Sequence, residues 1–434
     1  MMAPLEEFCK PRHFGGTEPD QAAPFLYACV VRPIGGSMIH VFIVGSKGIP
    51  AQYGGFETFV ENLTARKTSA DLFYHVSCMN NEEKHFSYNG ADCFNVRVPM
   101  PGAPGRIFHV GRVLSEVETW CRANPEETCI VYILGCRIGP LLIPHARRLH
   151  RMGAKIFCNP DGLEWKRDKW NALEKRFLHY CERCLVKNSD LSVCDSKNIE
   201  RYIVDTYGNA VKTTYIAYGA DAEPSHCSDE KRNEWFGRFG LQKDSYYLII
   251  GRFVPENNYE TMIREYMASK TERTLVIITN VEQNAFYEQL KNTTHFDEDP
   301  RIRFVGTVYD AELLKRIREE AHGYLHGHEV GGTNPSLLEA LASTKVNLLL
   351  NVGFNREVGE DGALYWSKEP GSLAELLSVA DGLTGEQIES LHREGRERIL
   401  RYYNWKDICL RYEALFLDGQ KQESGAVYEN SYAN

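Results

Sequence analysis

The residues best suited to chemistry lie in four short segments, each just after an apolar run. Arg252 stands in Gly251-Arg252-Phe253-Val254-Pro255-Glu256-Asn257-Asn258. A guanidinium at the carboxyl end of a strand donates paired hydrogen bonds and so suits a diphosphate; a solvated surface arginine is the plain alternative. The second segment is His326-Gly327-His328-Glu329-Val330-Gly331-Gly332-Thr333-Asn334-Pro335-Ser336-Leu337-Leu338-Glu339. Asn334 is a good N-cap and Pro335 a good first helical residue. Gly331, Gly332 and Thr333 then present backbone N–H groups to an anion. Glu339, about one turn inside the helix, is placed to accept hydrogen bonds from a ribose diol, or simply to be solvated. His326 and His328 bring no third ligand with them, so a metal is not expected.

The third segment runs from Gly45 to Glu57 and contains Gly54 and Gly55. It joins a strand to a helix that carries Phe56, Phe59, Val60 and Leu63 on one face. Glycines there let a backbone approach a ligand, and a helix N-terminus favours an anion. It matches neither GxGxxG nor the P-loop spacing, and an ordinary tight turn explains it as well. The fourth segment is Asn159-Pro160-Asp161-Gly162-Leu163-Glu164-Trp165. An Asp at a strand's carboxyl end can orient or deprotonate an acceptor hydroxyl; a structural Asp-Gly turn is the alternative. Arg137 is similarly placed, to meet an acceptor phosphate or to pair with a carboxylate.

Other signals are weaker. Asp297-Glu298-Asp299 reads as a surface loop rather than a metal motif, and Cys181-x-x-Cys184 as helix packing. The run Trp165–Lys187 reads as one basic helix, with seven Lys/Arg against three acids. Its aromatic residues suit an anionic membrane face as well as a solvated amphipathic helix.

Positioning these segments requires alternating strands and helices. Apolar runs at 39–44, 74–78, 93–98, 129–134, 155–158 and 191–194 make one series. Runs at 246–250, 274–279, 303–305, 323–325 and 346–350 make a second. Alternation of this kind argues for parallel sheets and α/β doubly wound domains. Ligands of such sheets bind at the strands' carboxyl ends. The chain divides into a disordered extension (1–37), an N-terminal domain (38–212), a C-terminal domain (213–400), a final helix (401–418) and a disordered tail (419–434), with the crossing between domains near Tyr215–Asp221, where an apolar segment ends.

The bulk numbers agree. The chain has 434 residues, 43% hydrophobic and 25% charged, as in ordinary globular domains. A net charge of −9 argues against a nucleic-acid binder with a wholly basic surface. Thirteen cysteines, several inside expected strands, read as buried thiols of a reducing compartment. No apolar run approaches the ~18 residues of a membrane span.

In this order, the segments resemble glycosyltransferase family 4, over about Met38 to Phe416. The Gly-Gly-x-Glu loop at Gly54–Glu57, the Gly-Arg-x-x-x-Glu turn at Gly251–Glu256 and the glycine-rich helix ending Glu339-Ala-Leu-Ala carry the likeness. The runs Gly45–Glu57, Asn159–Trp165, Gly251–Tyr259 and His326–Ala342 are similar to bacterial β-1,4-rhamnosyltransferases of capsule and cell-wall polysaccharide assembly. The resemblance implies a GT-B fold, two Rossmann-like domains facing across a cleft, with the final helix (401–418) crossing back to the N-terminal domain. It implies a dTDP-β-L-rhamnose donor, a lipid-diphosphate-linked sugar acceptor, and a retained configuration, without cofactor or metal. It implies a cytoplasmic enzyme, peripheral at the inner membrane face. Asp161, Arg252 and Glu329 become the expected catalytic residues. Gly54, Gly55, Arg252, Asn257, Gly331, Gly332, Thr333, Asn334 and Glu339 become the donor site, and Glu57, Arg137 and Trp165 the acceptor site. Three departures stand out. Asn257 replaces the lysine that usually accompanies the arginine, and Gly331 replaces the family's first glutamate, leaving Glu329 as the nearest acid. The histidine near the scissile bond has no clear counterpart. A UDP- or GDP-sugar donor, an epimerase on the same fold and a non-catalytic nucleotide-sugar-binding protein are the competing readings.

Overall fold

Mostly apolar runs of three to eight residues form the strands of two separate sheets. The computed structural model describes residues 38–419 except 53, 81, 83, 101, 168 and 282–284. The expected extension, and all but the first residue of the expected tail, lie outside the described residues. The first half runs β1 (Ile39–Val44), α1 (Gly55–Ala65), β2 (Leu72–Met79), β3 (His85–Tyr88), β4 (Ala91–Val96), α2 (Gly102–Ala123) and β5 (Thr128–Leu134). It continues with α3 (Leu142–Arg151), β6 (Lys155–Asn159), α4 (Ala172–Asn188), β7 (Leu191–Cys194), α5 (Lys197–Tyr207) and β8 (Thr213–Tyr215).

The second half opens with α6 (Asp229–Phe239), β9 (Tyr246–Ile250), α7 (Tyr259–Ala268), β10 (Thr274–Ile278), α8 (Ala285–Thr294), β11 (Ile302–Gly306) and α9 (Ala311–Glu320). It ends with β12 (Gly323–His326), α10 (Pro335–Ser343), β13 (Val346–Leu350), α11 (Gly353–Gly359), β14 (Leu364–Trp366), α12 (Ser372–Asp381), α13 (Gly385–Tyr402) and α14 (Trp405–Asp418).

The first sheet has the order β3-β4-β2-β1-β5-β6-β7-β8 and the second β11-β10-β9-β12-β13-β14. All pairings are parallel except β3 with β4. That hairpin turns at Asn89-Gly90, both with positive φ, as a two-residue primed turn requires. Helices cover both faces of each sheet, so successive strand residues enter different cores. Ile39, Val41 and Ile43 face one helical layer, and Phe42 and Val44 the other. Tyr247 and Ile249 are likewise separated from Tyr246 and Leu248.

Two expected boundaries need correction. A division after residue 212 would cut off β8, which pairs with β7 as the edge of the first sheet. The chain crosses at 216–222, the stretch where the apolar segment was expected to end, and there the Ala220 N–H donates to the Tyr403 carbonyl at 2.8 Å beside the returning chain. The run Trp165–Lys187 is not one helix. A short 3-10 turn at Glu164–Lys166 is followed by a break, and α4 starts only where Asn171 and Glu174 form a capping box.

The last helix, α14, packs on the first domain. Its Glu413 carboxylate accepts the Thr68 N–H at 2.6 Å, the Thr68 hydroxyl at 2.7 Å and the Ser69 N–H at 3.0 Å. Tyr412 and Phe416 enter an aromatic cluster with Phe59, Tyr74, Tyr132 and Phe157.

Candidate functional site

Strand order locates the cleft before any side chain is considered. In the first sheet the order reverses between β1 and β5; in the second, between β9 and β12. Loops at such switch points splay apart and leave a crevice at the strands' carboxyl ends. Gly45–Gly54 follows β1 and Gly135–Arg137 follows β5. Arg252 follows β9, and the glycine-rich segment follows β12. Thus the segments singled out from the sequence surround two crevices.

The crevices face each other. A Cβ added to Gly55 would lie 3.6 Å from the Pro335 ring of α10. One added to Gly162 would fall onto the backbone of Gly331 and Gly332, so only glycine permits this approach of the two loops. The Thr333 hydroxyl donates to the Asp195 carbonyl, at the end of β7, and Thr333 is buried.

On the second domain, Asn334 caps α10: its side chain accepts the Ser336 N–H at 2.9 Å and the Leu337 N–H at 3.3 Å, with Pro335 following. The cap thereby uses two helix-end donors, and Pro335 has none to offer. Gly331 has φ 148, a backbone conformation suited to glycine. Arg252 is exposed at the mouth of the cleft, and among the described residues its guanidinium has no hydrogen-bond or ion-pair partner. Asn257 is buried, and its amide donates to the Arg252 carbonyl at 2.7 Å. It fixes the turn that carries the arginine and does not supply the positive charge of a lysine. Glu339 pairs with buried Arg318. Glu329 is held by Lys368 at 2.7 Å and by the Asn258 amide at 3.2 Å. Both carboxylates therefore enter the site already carrying a cationic partner.

On the first domain, Gly54 precedes α1 with φ 132, and Glu57 turns back to accept the Lys47 N–H at 2.7 Å. Glu57 is buried and braces the loop. Asp161 has φ 63 and accepts the Gly162 N–H at 2.8 Å, while Asn159 accepts the Asp161 N–H at 2.9 Å. Arg137 donates to Glu164 at 2.7 Å. Arg167 at 2.7 Å and Lys169 at 3.2 Å complete a ring of cations around that buried carboxylate. Burial pushes Glu164 up, but Arg167, Arg137 and Lys169 together hold it below the ordinary carboxyl value. Two cations of the Trp165–Lys187 run are thus spent internally. Trp165 packs within the domain, its indole stacked on His179 at 4.6 Å and donating to the Tyr202 hydroxyl at 3.2 Å.

Two site residues escaped the sequence reading. Asp195 is fully enclosed, and a Cβ on Gly332 would strike its carboxyl group. Burial, then the charges of Asp161 and Glu357, push its pKa up to about 8 against the N–H groups of Asp195 and Thr333. Burial at the loop thus disfavours its charged form. Arg167 is buried in the cleft; desolvation lowers its pKa, but Asp161, Glu164 and Glu256 outweigh that and hold it above the ordinary value. A lone Asp after a strand and an Arg in a basic run gave no usable sequence signal.

His326 and His328 stack at 4.4 Å, and burial drives His326 down to about 3. Among the described residues no group of three or more His, Cys, Asp or Glu could hold a metal ion. Asp297 pairs with Lys291 and Asp299 with Arg301, while Cys181 and Cys184 are buried free thiols.

Comparison with known proteins bears on the whole architecture. Residues 38–221 match the model of a family described as a domain of unknown function, DUF1972. Comparison with the curated proteins finds no match. Among solved structures, sucrose-phosphate synthase from Thermosynechococcus elongatus superposes with a TM-score of 0.73 at 14% identity, covering 89% of this chain and 100% of that one. The fold is GT-B. A glycosyltransferase from Rickettsia africae is similar, with a TM-score of 0.68 at 11% identity over 90% of this chain and 100% of its own. Anabaena HepE in complex with UDP and glucose gives 0.67 at 12% identity, over 88% and 100%. The crevices described above are thus the two walls of a GT-B cleft.

Proposed function

We propose that the protein transfers a sugar from a nucleotide diphosphate to an acceptor, with the nucleotide held by the second domain. The observation that carries this is the arrangement at the β9/β12 switch point. Arg252, without a hydrogen-bond or ion-pair partner among the described residues, stands beside the glycine-rich start of α10, and that start is covered by the Gly54–Gly55 and Asp161–Gly162 loops. HepE in complex with UDP and glucose, a structure of the same fold, supports the reading. Arg252 and the Gly331 and Gly332 amides stabilise charge on the departing diphosphate, a preorganised contribution of the kind that dominates many enzymes. The bond from the anomeric carbon to the diphosphate breaks, and a bond to the acceptor oxygen forms with retained configuration. Asp161 orients the acceptor hydroxyl or takes its proton. Closure of the loops excludes water and limits donor hydrolysis.

The finer reading is L-rhamnose from dTDP-β-L-rhamnose, transferred in β-1,4 linkage to a lipid-diphosphate-linked sugar without a metal. It rests on the family resemblance. Peripheral contact with an anionic membrane has a structural support. Leu173, Phe177 and Tyr180 are 78%, 49% and 50% exposed on α4, at positions that share one helical face. Arg176 and Arg183 flank them on the same helix. Among the described residues no helix is long and apolar enough to cross a membrane.

The test incubates the purified protein with dTDP-, UDP- and GDP-sugars and short-chain lipid diphosphate sugars, and weighs the products. A rhamnosylated lipid from dTDP-rhamnose alone is expected, unchanged by a chelator. Product only from a UDP- or GDP-sugar replaces the donor. Donor binding with no product on any acceptor points to a nucleotide-sugar-binding protein; the engagement of Asn257 and Glu329 with protein partners favours that second reading.

A further inference from the structure

Arg167 belongs to the first domain and follows the Asp161–Gly162 loop, which lies on Gly331 and Gly332 of the second. The 3-10 turn at Glu164–Lys166 carries the chain from that loop to the arginine. Arg167 is 7% exposed, and charges of both domains surround it. Glu164 meets its Nε at 2.7 Å, while Asp161 and, from the second domain, Glu256 add attraction that holds its pKa above the ordinary value. On the opposite wall, a Cβ on Gly251 would lie 3.2 Å from the His328 ring, in the turn that carries Arg252. Burial pushes the His328 pKa down, and the charges of His326, Arg252 and Arg167 push it further. Arg167 and Arg252 thus act on one spot from opposite sides of the cleft.

Countercharge is not what Arg167 lacks; hydrogen-bond acceptors are. A guanidinium carries five N–H donors, and burying them unmatched is costly. Glu164 approaches Nε outside the hydrogen-bonding direction, so Nε has no hydrogen-bond partner despite the ion pair. Among the described residues the two Nη groups have none either. Glu164 is shared, since it also meets Arg137 at 2.7 Å and Lys169 at 3.2 Å. Glu256 attracts the guanidinium without bonding to it: its Oε2 is itself buried and without a hydrogen-bond partner. The turn Gly251–Asn258 contains one cation, Arg252, and its Asn257 amide is taken by the Arg252 carbonyl. A diphosphate carries more than one negative charge, and its oxygens match the paired N–H groups of a guanidinium fork.

We propose that Arg167 is a catalytic residue of the transfer, its Nη fork reaching across the cleft so that the donor diphosphate is held by one guanidinium from each domain, Arg252 and Arg167. The assignment rests on the transfer reading above. As the bond from the anomeric carbon to the diphosphate oxygen breaks, its electron pair stays on that oxygen, and Arg167 donates to the charge as it develops. The second domain alone offers Arg252 without Arg167. A donor bound there is not activated until the walls meet, which keeps its loss to water slow while the cleft is open.

The experiment is calorimetric binding to the full chain of dTDP against dTMP and of UDP against UMP. The parent is expected to prefer the diphosphate of one pair by more than about tenfold. Arg167→Gln should cut that preference about tenfold, the worth of a charge-assisted contact, and leave monophosphate affinity nearly unchanged, which also shows that the variant is folded. Glu164 keeps Arg137 and Lys169 in this variant. Arg167→Lys keeps the charge and removes the fork, so it should lose about threefold or more, and it serves if the glutamine variant does not fold. Glu256→Gln should keep the preference. Undiminished preference in either folded Arg167 variant would overturn the proposal. So would a parallel loss of monophosphate affinity, which would make Arg167 a structural support, or an equal loss in Glu256→Gln, which would make it half of a tie between the domains. If the parent binds no nucleoside diphosphate, the transfer reading falls and takes this assignment with it. If the parent binds one and the Arg167 variants match it, the assignment falls alone.

Discussion

Glu357 of α11 holds Ser196 of the other domain: its carboxylate accepts the Ser196 hydroxyl at 2.9 Å, just before α5 begins. The same carboxylate accepts the Lys197 N–H at 2.8 Å, the Asn198 N–H at 3.2 Å and the Asn198 amide at 2.6 Å. A helix end in the first domain is thus satisfied by an acid of the second, where its charge also suits the helix dipole.

Opening the cleft exposes those donors to water. Glu357→Ala is expected to destabilise the protein by about 1.5–3 kcal/mol, the range for hydrogen bonds to a charged acceptor. Small-angle scattering should show a larger radius of gyration for this variant. An unchanged radius together with an unchanged denaturation midpoint would deny Glu357 any role in closure.

Arg252 has no partner to lose among the described residues. Arg252→Ala should leave the melting temperature almost unmoved, as for surface changes within about 0.5 kcal/mol. Turnover should fall by about 10²–10³-fold, the scale for one preorganised transition-state donor. Near-normal turnover would remove Arg252 from the diphosphate site.

Gly162 tests the loop contact. Its missing Cβ is what lets Asp161–Gly162 lie on Gly331 and Gly332. Gly162→Ala should spare nucleotide binding by the second domain and sharply reduce turnover, because the walls can no longer meet. Equal losses of nucleotide affinity and turnover would mean that the substitution damages the second domain itself.

Asp195 gives the protein a pH dependence of known sign. Folding raises its pKa from 3.8 to about 8, so the folded state holds the proton that the unfolded state releases. The contribution is complete below about pH 4 and is lost as pH climbs through about 8. Asp195→Asn keeps the shape and cannot ionise, so its melting temperature relative to the parent should rise between pH 5 and pH 9. A constant offset across that range would place the carboxyl in a more polar setting than the closed structure shows.

The sheets were legible because parallel strands covered on both faces are continuous apolar runs, and the expected runs at 39–44, 246–250 and 346–350 coincide with β1, β9 and β13. Short edge strands carry little such signal. β3 alternates exposure, β8 is half-buried throughout, and β14 has three residues. Asn334 was readable as a cap because capping is local chemistry. The states of Asn257, Glu329 and Glu339 were not, because each is set by what it meets in the fold: a backbone carbonyl, Lys368 and Arg318. Asp195 lies 138 residues from Thr333 in sequence, and no pattern of neighbours announces that contact.

The docking of α14 has a consequence for how the chain is made. Phe59, Tyr74, Tyr132 and Phe157, all laid down early in synthesis, wait for Tyr412 and Phe416 to cover them. Until the last turns of α14 leave the ribosome, the first domain has an aromatic flank open to water and to other nascent chains. A fragment ending at residue 221, where the DUF1972 match stops, would carry that flank permanently. Its solubility, rather than its secondary structure, is what such a truncation would forfeit.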